Sequence, residues 1–174
     1  MLYFIRHAPT QGNLSNVWVG HQDEPIAEAC LKQLDDVATE LASIKFDKIY
    51  TSPLLRALDT AKYIAKKQIH KPEIIIEPLL KERDFAEFEG VNKTPEFRAK
   101  LEMSAAVESV KSVENRLLSV IPIILKKEEH NLIVSHSAVF RCLINELKLT
   151  TQPARQSLNN LEFVEILKKR EMAR

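Results

Sequence analysis

Two histidines, each closing an apolar run, are the residues of this chain best suited to do chemistry. Met1-Leu2-Tyr3-Phe4-Ile5 leads into Arg6-His7-Ala8-Pro9-Thr10, and Leu132-Ile133-Val134 leads into Ser135-His136-Ser137, with Arg141 five residues further on. Runs of this kind read as buried strands of a parallel sheet. Ligands of open α/β sheets gather beyond the carboxyl ends of such strands. One strand bringing a cation and an imidazole to that edge, and another bringing a second imidazole, suggests a pocket for phosphoryl chemistry. That reaction needs a nucleophile, positive charge around the equatorial oxygens and a proton for the leaving oxygen.

The rest of the sequence must position these residues. Strands are predicted at Leu2–Arg6, Lys48–Thr51, Glu73–Glu77, Leu132–Ser135 and Leu161–Leu167. Between them, apolar residues recur at spacings of three and four, the pattern of one-faced helices. Ile26, Cys30, Leu34, Val37, Leu41 and Ile44 form one stripe; Leu54, Leu58, Ala61, Ile64 and Ala65 a second; Val110, Val113, Leu117, Val120, Ile121 and Ile124 a third. Pro122 is expected to kink or end the third. Val139, Leu143 and Leu147 mark a short helix beginning beside His136. Strand–helix alternation predicts an α/β fold, a three-layer α/β/α sandwich with a mostly parallel central sheet. One domain over residues 1–174 is the simplest organisation at this length. The polar stretch Asn92–Ser112 is expected to cross the sheet edge as a flap or short helices, or else to be a solvated connector.

Composition narrows the partners. The chain is 45% hydrophobic and 28% charged, with a formal net charge of +1. That balance argues against a general nucleic-acid or membrane-surface binder, so a substrate anion must be met by local cations. No apolar run approaches the roughly 20 residues of a membrane span, and the first residues lack the pattern of a secretory signal. The two cysteines, Cys30 and Cys142, fall in helical patterns and read as buried free thiols in a reducing cytoplasm. His70 and His130 lie in charged surroundings and read as solvated. No clustered acidic or thiolate partners accompany His7 and His136, so no metal and no other cofactor is expected.

Several segments together resemble the histidine phosphatase superfamily, also called the phosphoglycerate-mutase-like family. They are Arg6-His7-x-x-Thr10-x-x-Asn13, Val19-Gly20-His21-Gln22-Asp23-Glu24-Pro25-Ile26, Thr51-Ser52-Pro53-Leu54-Leu55-Arg56-Ala57, Leu80-Lys81-Glu82-Arg83-Asp84 through Gly90, Val107-Glu108-Ser109 and Val134-Ser135-His136-Ser137. The resemblance spans roughly residues 1–165. It implies that His7 is the nucleophile of a phosphohistidine intermediate, with its attacking nitrogen unprotonated. It implies that Arg6 and Arg56 clamp the phosphate as planar, two-pronged donors. Asn13 and Thr10 join them, and His136 donates as charge builds. Glu82 is implied as general acid, protonating the leaving oxygen and then activating water; Asp84, Glu87 and Glu89 compete for that role. Gly20, His21, Gln22 and Arg83 are candidates for substrate selection. Plainer readings stand beside these: core histidines for His7 and His136, an ion pair of Arg56 with Asp59 or Asp36, turn chemistry for Asn13, and a surface pairing of Glu82 with Arg83 or Lys81.

The chain departs from the family at four positions. Ala8 and Ser137 follow the two histidines where glycine is usual, Cys30 stands at another usual glycine, and Ala27 stands where a capping Thr is common. The expected function is a phosphomonoester phosphatase acting on a small phosphorylated substrate, because the short stretch between Gly90 and Glu108 suggests an open site that admits water. A cofactor-dependent phosphoglycerate mutase and a catalytically weakened phospho-ligand binding module are the alternatives. Phe85, Phe88 and Phe97 are expected to pack under the sheet. The final strand reads as an edge, open to a second subunit or guarded by Lys168, Lys169 and Arg170.

Overall fold

In the computed structural model, residues 1–126 and 128–167 are described. Six strands, β1 (Leu2–Arg6), β2 (Lys48–Thr51), β3 (Glu73–Ile76), β4 (Asn131–Ser135), β5 (Thr150–Gln152) and β6 (Phe163–Leu167), form one sheet in the order β3-β2-β4-β1-β6-β5. β1 to β4 run parallel, while β6 pairs antiparallel with both β1 and β5. The fold is therefore α/β with a mostly parallel sheet.

Side chains alternate between the two faces of each strand, and this feeds two separate cores. On one face Phe4, Tyr50, Ile133 and Val164 meet Val113, Leu117, Val120, Ile121 and Ile124 of α5 (Val110–Lys126) and Phe140 and Leu143 of α6 (Ser137–Asn145). On the other, Ile5, Ile49, Leu132 and Val134 meet Leu34, Ala38 and Leu41 of α2 (Leu31–Leu41) and Ala57, Ala61 and Ile64 of α3 (Leu55–Lys67). These are the outer layers of the sandwich, and each helix buries one stripe.

Three expectations change. The helix carrying Pro122 does not end there, because α5 runs on to Lys126. β6 is not an edge: β5, a polar three-residue strand with too little pattern to be recognised, covers it. Lys168, Lys169 and Arg170 lie outside the described residues. Phe85 and Phe88 do not pack under the sheet; with Trp18, Leu101 and Val107 they form a third cluster. That cluster anchors α4 (Pro95–Met103), the one helix within the 92–112 stretch, through Leu101. Thr94 caps α4, accepting from the backbone N–H of Phe97, and Pro95 occupies the first turn where no N–H is needed. Phe97 itself is exposed.

Candidate active site

The two histidines are neighbours because of strand register. Arg6 of β1 lies opposite Ser135 of β4, so the next residues, His7 and His136, leave the sheet side by side. The backbone N–H of His7 donates to the Ser135 carbonyl at 3.0 Å. Their rings lie 5.0 Å apart at an interplanar angle of 57°. β2 flanks β4 on its other side, Thr51 opposite Val134, and Ser52 N–H continues the ladder to the Val134 carbonyl. α3 starts three residues on and brings Arg56 back over the same edge. Three adjacent parallel strands thus deliver the site from their carboxyl ends.

The hydrogen bonds of His7 define its tautomer. Nδ1 lies 2.7 Å from the Ala8 carbonyl, an acceptor only, so Nδ1 carries the proton. Nε2 then holds the lone pair, and the Arg56 Nε–H donates to it at 3.3 Å. Burial pushes the His7 imidazole well below its ordinary pKa, and the Arg56 and Arg6 guanidinium groups push it the same way. His136 is driven down too, by burial first, then by Arg56 and His7. Its Nε2 sits 2.8 Å from Ser52 Oγ. The Leu54 N–H donates to that same hydroxyl oxygen, which keeps a proton to give to Nε2 and a second lone pair to accept from it. Among the described residues, neither His136 Nδ1 nor Arg6 Nε, both buried, has a hydrogen-bond partner.

Arg56 is held by carbonyls, Nη1 donating to Gln22 O at 2.8 Å and Nη2 to Gly20 O at 2.6 Å. Gly20 adopts φ +53°, and a Cβ there would lie 2.0 Å from Glu89 Oε1; only glycine suits both demands. Arg6 donates through Nη1 to Leu158 O. Glu82 is buried, and its Oε1 accepts from the N–H groups of Arg83 at 2.9 Å and Ala138 at 3.0 Å. The second of these is a free donor at the N-terminus of α6, a helix whose own capping position, His136, supplies no side-chain cap.

A cavity of about 140 Å³ is lined by Arg6, His7, Asn13, Gly20, Arg56, Glu82 and Ser137, with Trp18, Val19, Phe85, Lys93, Arg98 and Arg141 around them. His136 is fully buried and does not line the cavity. Thr10 does not line the cavity: it caps α1 (Gln11–Leu14), accepting from Asn13 N–H while its own N–H donates to Asn13 Oδ1 at 3.0 Å. This reciprocal cap occupies the oxygen end of Asn13 and leaves its NH₂ for a ligand. His21, Gln22 and Arg83 are likewise absent from the lining. His21 Nε2 instead lies 2.7 Å from the Glu82 carbonyl, and Arg83 forms a two-pronged pair with Glu102 at 3.1 and 3.3 Å. Ala8 and Ser137 both keep ordinary negative φ, so neither needs to be glycine. Ala27 provides no side-chain cap.

Sequence reading missed Asn160. Its Nδ2 donates to the His7 carbonyl at 2.9 Å and to Asn13 Oδ1 at 3.3 Å, tying the two together. The only signal was a polar Asn159-Asn160 pair ahead of the last apolar run. Lys93 and Arg98 were also missed, because they belong to the stretch with no clear period. Among the described residues no group of three or more His, Cys, Asp or Glu side chains is placed to hold a metal ion.

Comparison with known proteins follows the same lines. A phosphatase of Bacillus subtilis, PhoE, whose function is uncharacterised, is 26% identical over 172 residues, 92% of this chain and 87% of its own length. A 2,3-bisphosphoglycerate-dependent phosphoglycerate mutase of Rhizobium etli is 35% identical over 96 residues; the match takes in 53% of this chain and 45% of the mutase, so the chain spans about half the length of the first curated relatives it matches. The solved structure of a mycobacterial glucosyl-3-phosphoglycerate phosphatase superposes with a TM-score of 0.78 at 21% identity, over 93% of this chain and 88% of that one, a likeness of fold. Residues 2–167 match the histidine phosphatase superfamily (branch 1) as a family, and the chain belongs to it.

Proposed function

We propose that the chain is a phosphomonoester phosphatase working through a phosphohistidine at His7. The observation that carries this reading is the fixed tautomer: a neutral imidazole with Nδ1–H on a carbonyl and a lone pair on Nε2 inside a cavity rich in cations. Nε2 attacks phosphorus while the bond to the alcohol oxygen breaks, and Glu82 gives that oxygen its proton. Water then attacks the phosphorus, Glu82 takes a proton from it, and the P–N bond breaks to free phosphate and His7. Arg6, Arg56 and the Asn13 amide neutralise the equatorial oxygens. Arg6 Nε, buried without a partner among the described residues, is a further donor that a phosphate would satisfy, and His136 Nδ1 is a second in the tautomer that carries its proton there.

Relatives named as a phosphatase and as a mutase align over similar shares of their own length, 87% and 85%, so hydrolysis is favoured over mutase action by the cover of the cavity alone. Only one nine-residue helix, α4, stands over the cavity in the stretch where an enclosing cover would be built. Dependence on 2,3-bisphosphoglycerate would mark the mutase alternative. A binding module without turnover would have to follow from Ala8 and Ser137, and neither distorts the backbone.

The test is turnover of p-nitrophenyl phosphate in the presence of EDTA by wild type and His7→Ala. The wild type is expected to turn over and the variant to lose at least about 10³-fold in kcat. Equal inactivity of both with retained binding of phosphate analogues would overturn the reading.

A further inference from the structure

Glu82 is the one member of the proposed catalytic set that no regular element carries. Arg6 ends β1, His7 and His136 follow β1 and β4, Asn13 lies in α1 and Arg56 in α3, whereas residues 81–85 belong to no helix or strand. Backbone of that kind keeps its place through hydrogen bonds from other parts of the chain. The Glu82 carbonyl receives two. His21 Nε2 lies 2.7 Å from it, and because a carbonyl only accepts, Nε2 carries the proton. Arg116 Nη2 donates to the same oxygen at 3.2 Å. Arg116 is committed more widely: it also donates to the Leu79 carbonyl and pairs with Glu108 at 2.9 Å, so it fastens the run as a whole to α5. The His21 ring meets the run at its catalytic residue, by the shorter bond, while its Nδ1 faces Asp84 Oδ2 at 3.7 Å.

The loop that carries His21 also holds the phosphate clamp. The carbonyls of its two neighbours, Gly20 and Gln22, accept from Arg56 at 2.6 and 2.8 Å. The main chain of His21 is itself fixed, its N–H donating to Glu89 Oε1 at 2.6 Å. Three consecutive residues thus hold the guanidinium through two carbonyls and the acid through one imidazole. At the far end of Glu82, Oε1 is occupied by the N–H groups of Arg83 and Ala138, which leaves Oε2 for the proton. We propose that His21 is a positioning residue, which sets the Glu82 carboxyl against the phosphate on Arg56 so that the proton of Oε2 reaches the leaving oxygen. It acts from outside the cavity, which its side chain does not line. This rests on the reading of Glu82 as general acid.

Leaving groups that differ in their need for a proton test it. p-Nitrophenolate departs without one, whereas an alkyl oxygen requires it. Wild type, His21→Ala, His21→Gln and Glu82→Gln are assayed on p-nitrophenyl phosphate and on glycerol 2-phosphate. The comparison is made in kcat/KM, which covers the step that expels the alcohol. In His21→Ala the loss on glycerol 2-phosphate is expected to exceed the loss on p-nitrophenyl phosphate by about tenfold or more, the scale of a small misplacement at the reacting centre, and in the same sense as in Glu82→Gln. His21→Gln, whose side-chain N–H takes the place of the ring's, is expected to recover most of that difference. Equal losses on both esters, no loss on either, or a Gln variant no better than the Ala variant overturns the proposal. If wild type hydrolyses neither ester, or Glu82→Gln loses the same factor on both, the acid reading fails by itself. Amide exchange then decides the positioning separately. The Arg83 and Ala138 N–H groups, bonded to Glu82 Oε1, are expected to exchange about tenfold faster in His21→Ala than in wild type or His21→Gln; unchanged exchange overturns the proposal.

Discussion

At His7, two contacts and the surrounding charge converge on one protonation state, and this makes the residue's behaviour with pH specific. A histidine held well below its ordinary value stays neutral, and hence nucleophilic, as pH falls through 6.5. With His7 as the nucleophile, the acid limb of kcat/KM that reports it in the free enzyme is expected below pH 6.5. A pH–rate profile with a substrate whose own ionisation is known checks this. Asn160 is a positioning residue in this account, since it holds the His7 carbonyl and the Asn13 amide without lining the cavity. Asn160→Ala is expected to lower kcat by about 10- to 100-fold, the penalty of a small misplacement of reacting groups, and Asn160→Asp, which keeps the size but sets an acceptor oxygen against the His7 carbonyl and Asn13 Oδ1, is expected to lose at least as much in a phosphate-release assay. Ser52→Ala leaves the ring of His136 with no hydrogen bond to the protein at either nitrogen. Its expected cost is about 1–3 kcal/mol of stability, read by chemical denaturation.

The element scale explains why a cluster so dispersed in sequence comes together. β2, β4 and β1 lie side by side and in register, so the residues that follow each strand meet at one edge. Loops then lock the arrangement. The Gly20 carbonyl accepts a hydrogen bond from Arg56 Nη2, and the Asp23 carboxylate accepts from Leu55 N–H at 2.6 Å, capping α3 from a distance. Gly20→Ala is expected to destabilise the protein by at least about 1–2 kcal/mol from the left-handed backbone alone, more where Glu89 must move, and to weaken phosphate binding by loosening Arg56. Calorimetric melting with and without phosphate separates the two effects. Much of this was legible in sequence: five strand positions were visible as apolar runs, and the helices as apolar stripes between them. β5 was not, since three polar residues carry no period. Neither were the remote caps, because Asp23 to Leu55 and Glu82 to Ala138 are contacts of tertiary structure that no local pattern encodes. His21 shows the same limit. Its type and loop position suggested substrate, whereas its ring lies against the Glu82 carbonyl.

Over the whole molecule, two neutral buried histidines couple stability to pH. Both have folded-state pKa values depressed below those of the unfolded chain. Above pH 6.5 neither state takes up the proton. Below it the unfolded state binds protons that the native state refuses, so stability falls with pH by up to about 1.4 kcal/mol per pH unit for each histidine. Denaturation midpoints taken between pH 7.5 and 5.5 are expected to fall, and to fall less in His136→Asn. The same burial that makes these rings costly in acid makes His7 a neutral nucleophile within a ring of cations. Whether that nitrogen bonds to phosphorus is answered most directly by labelling. Enzyme mixed with a ³²P-phosphomonoester, stopped in alkaline denaturant and digested, is expected to carry acid-labile phosphate on the peptide that holds His7 and none in His7→Gln. Label on any other residue, or turnover by His7→Gln at the wild-type rate, would contradict the account.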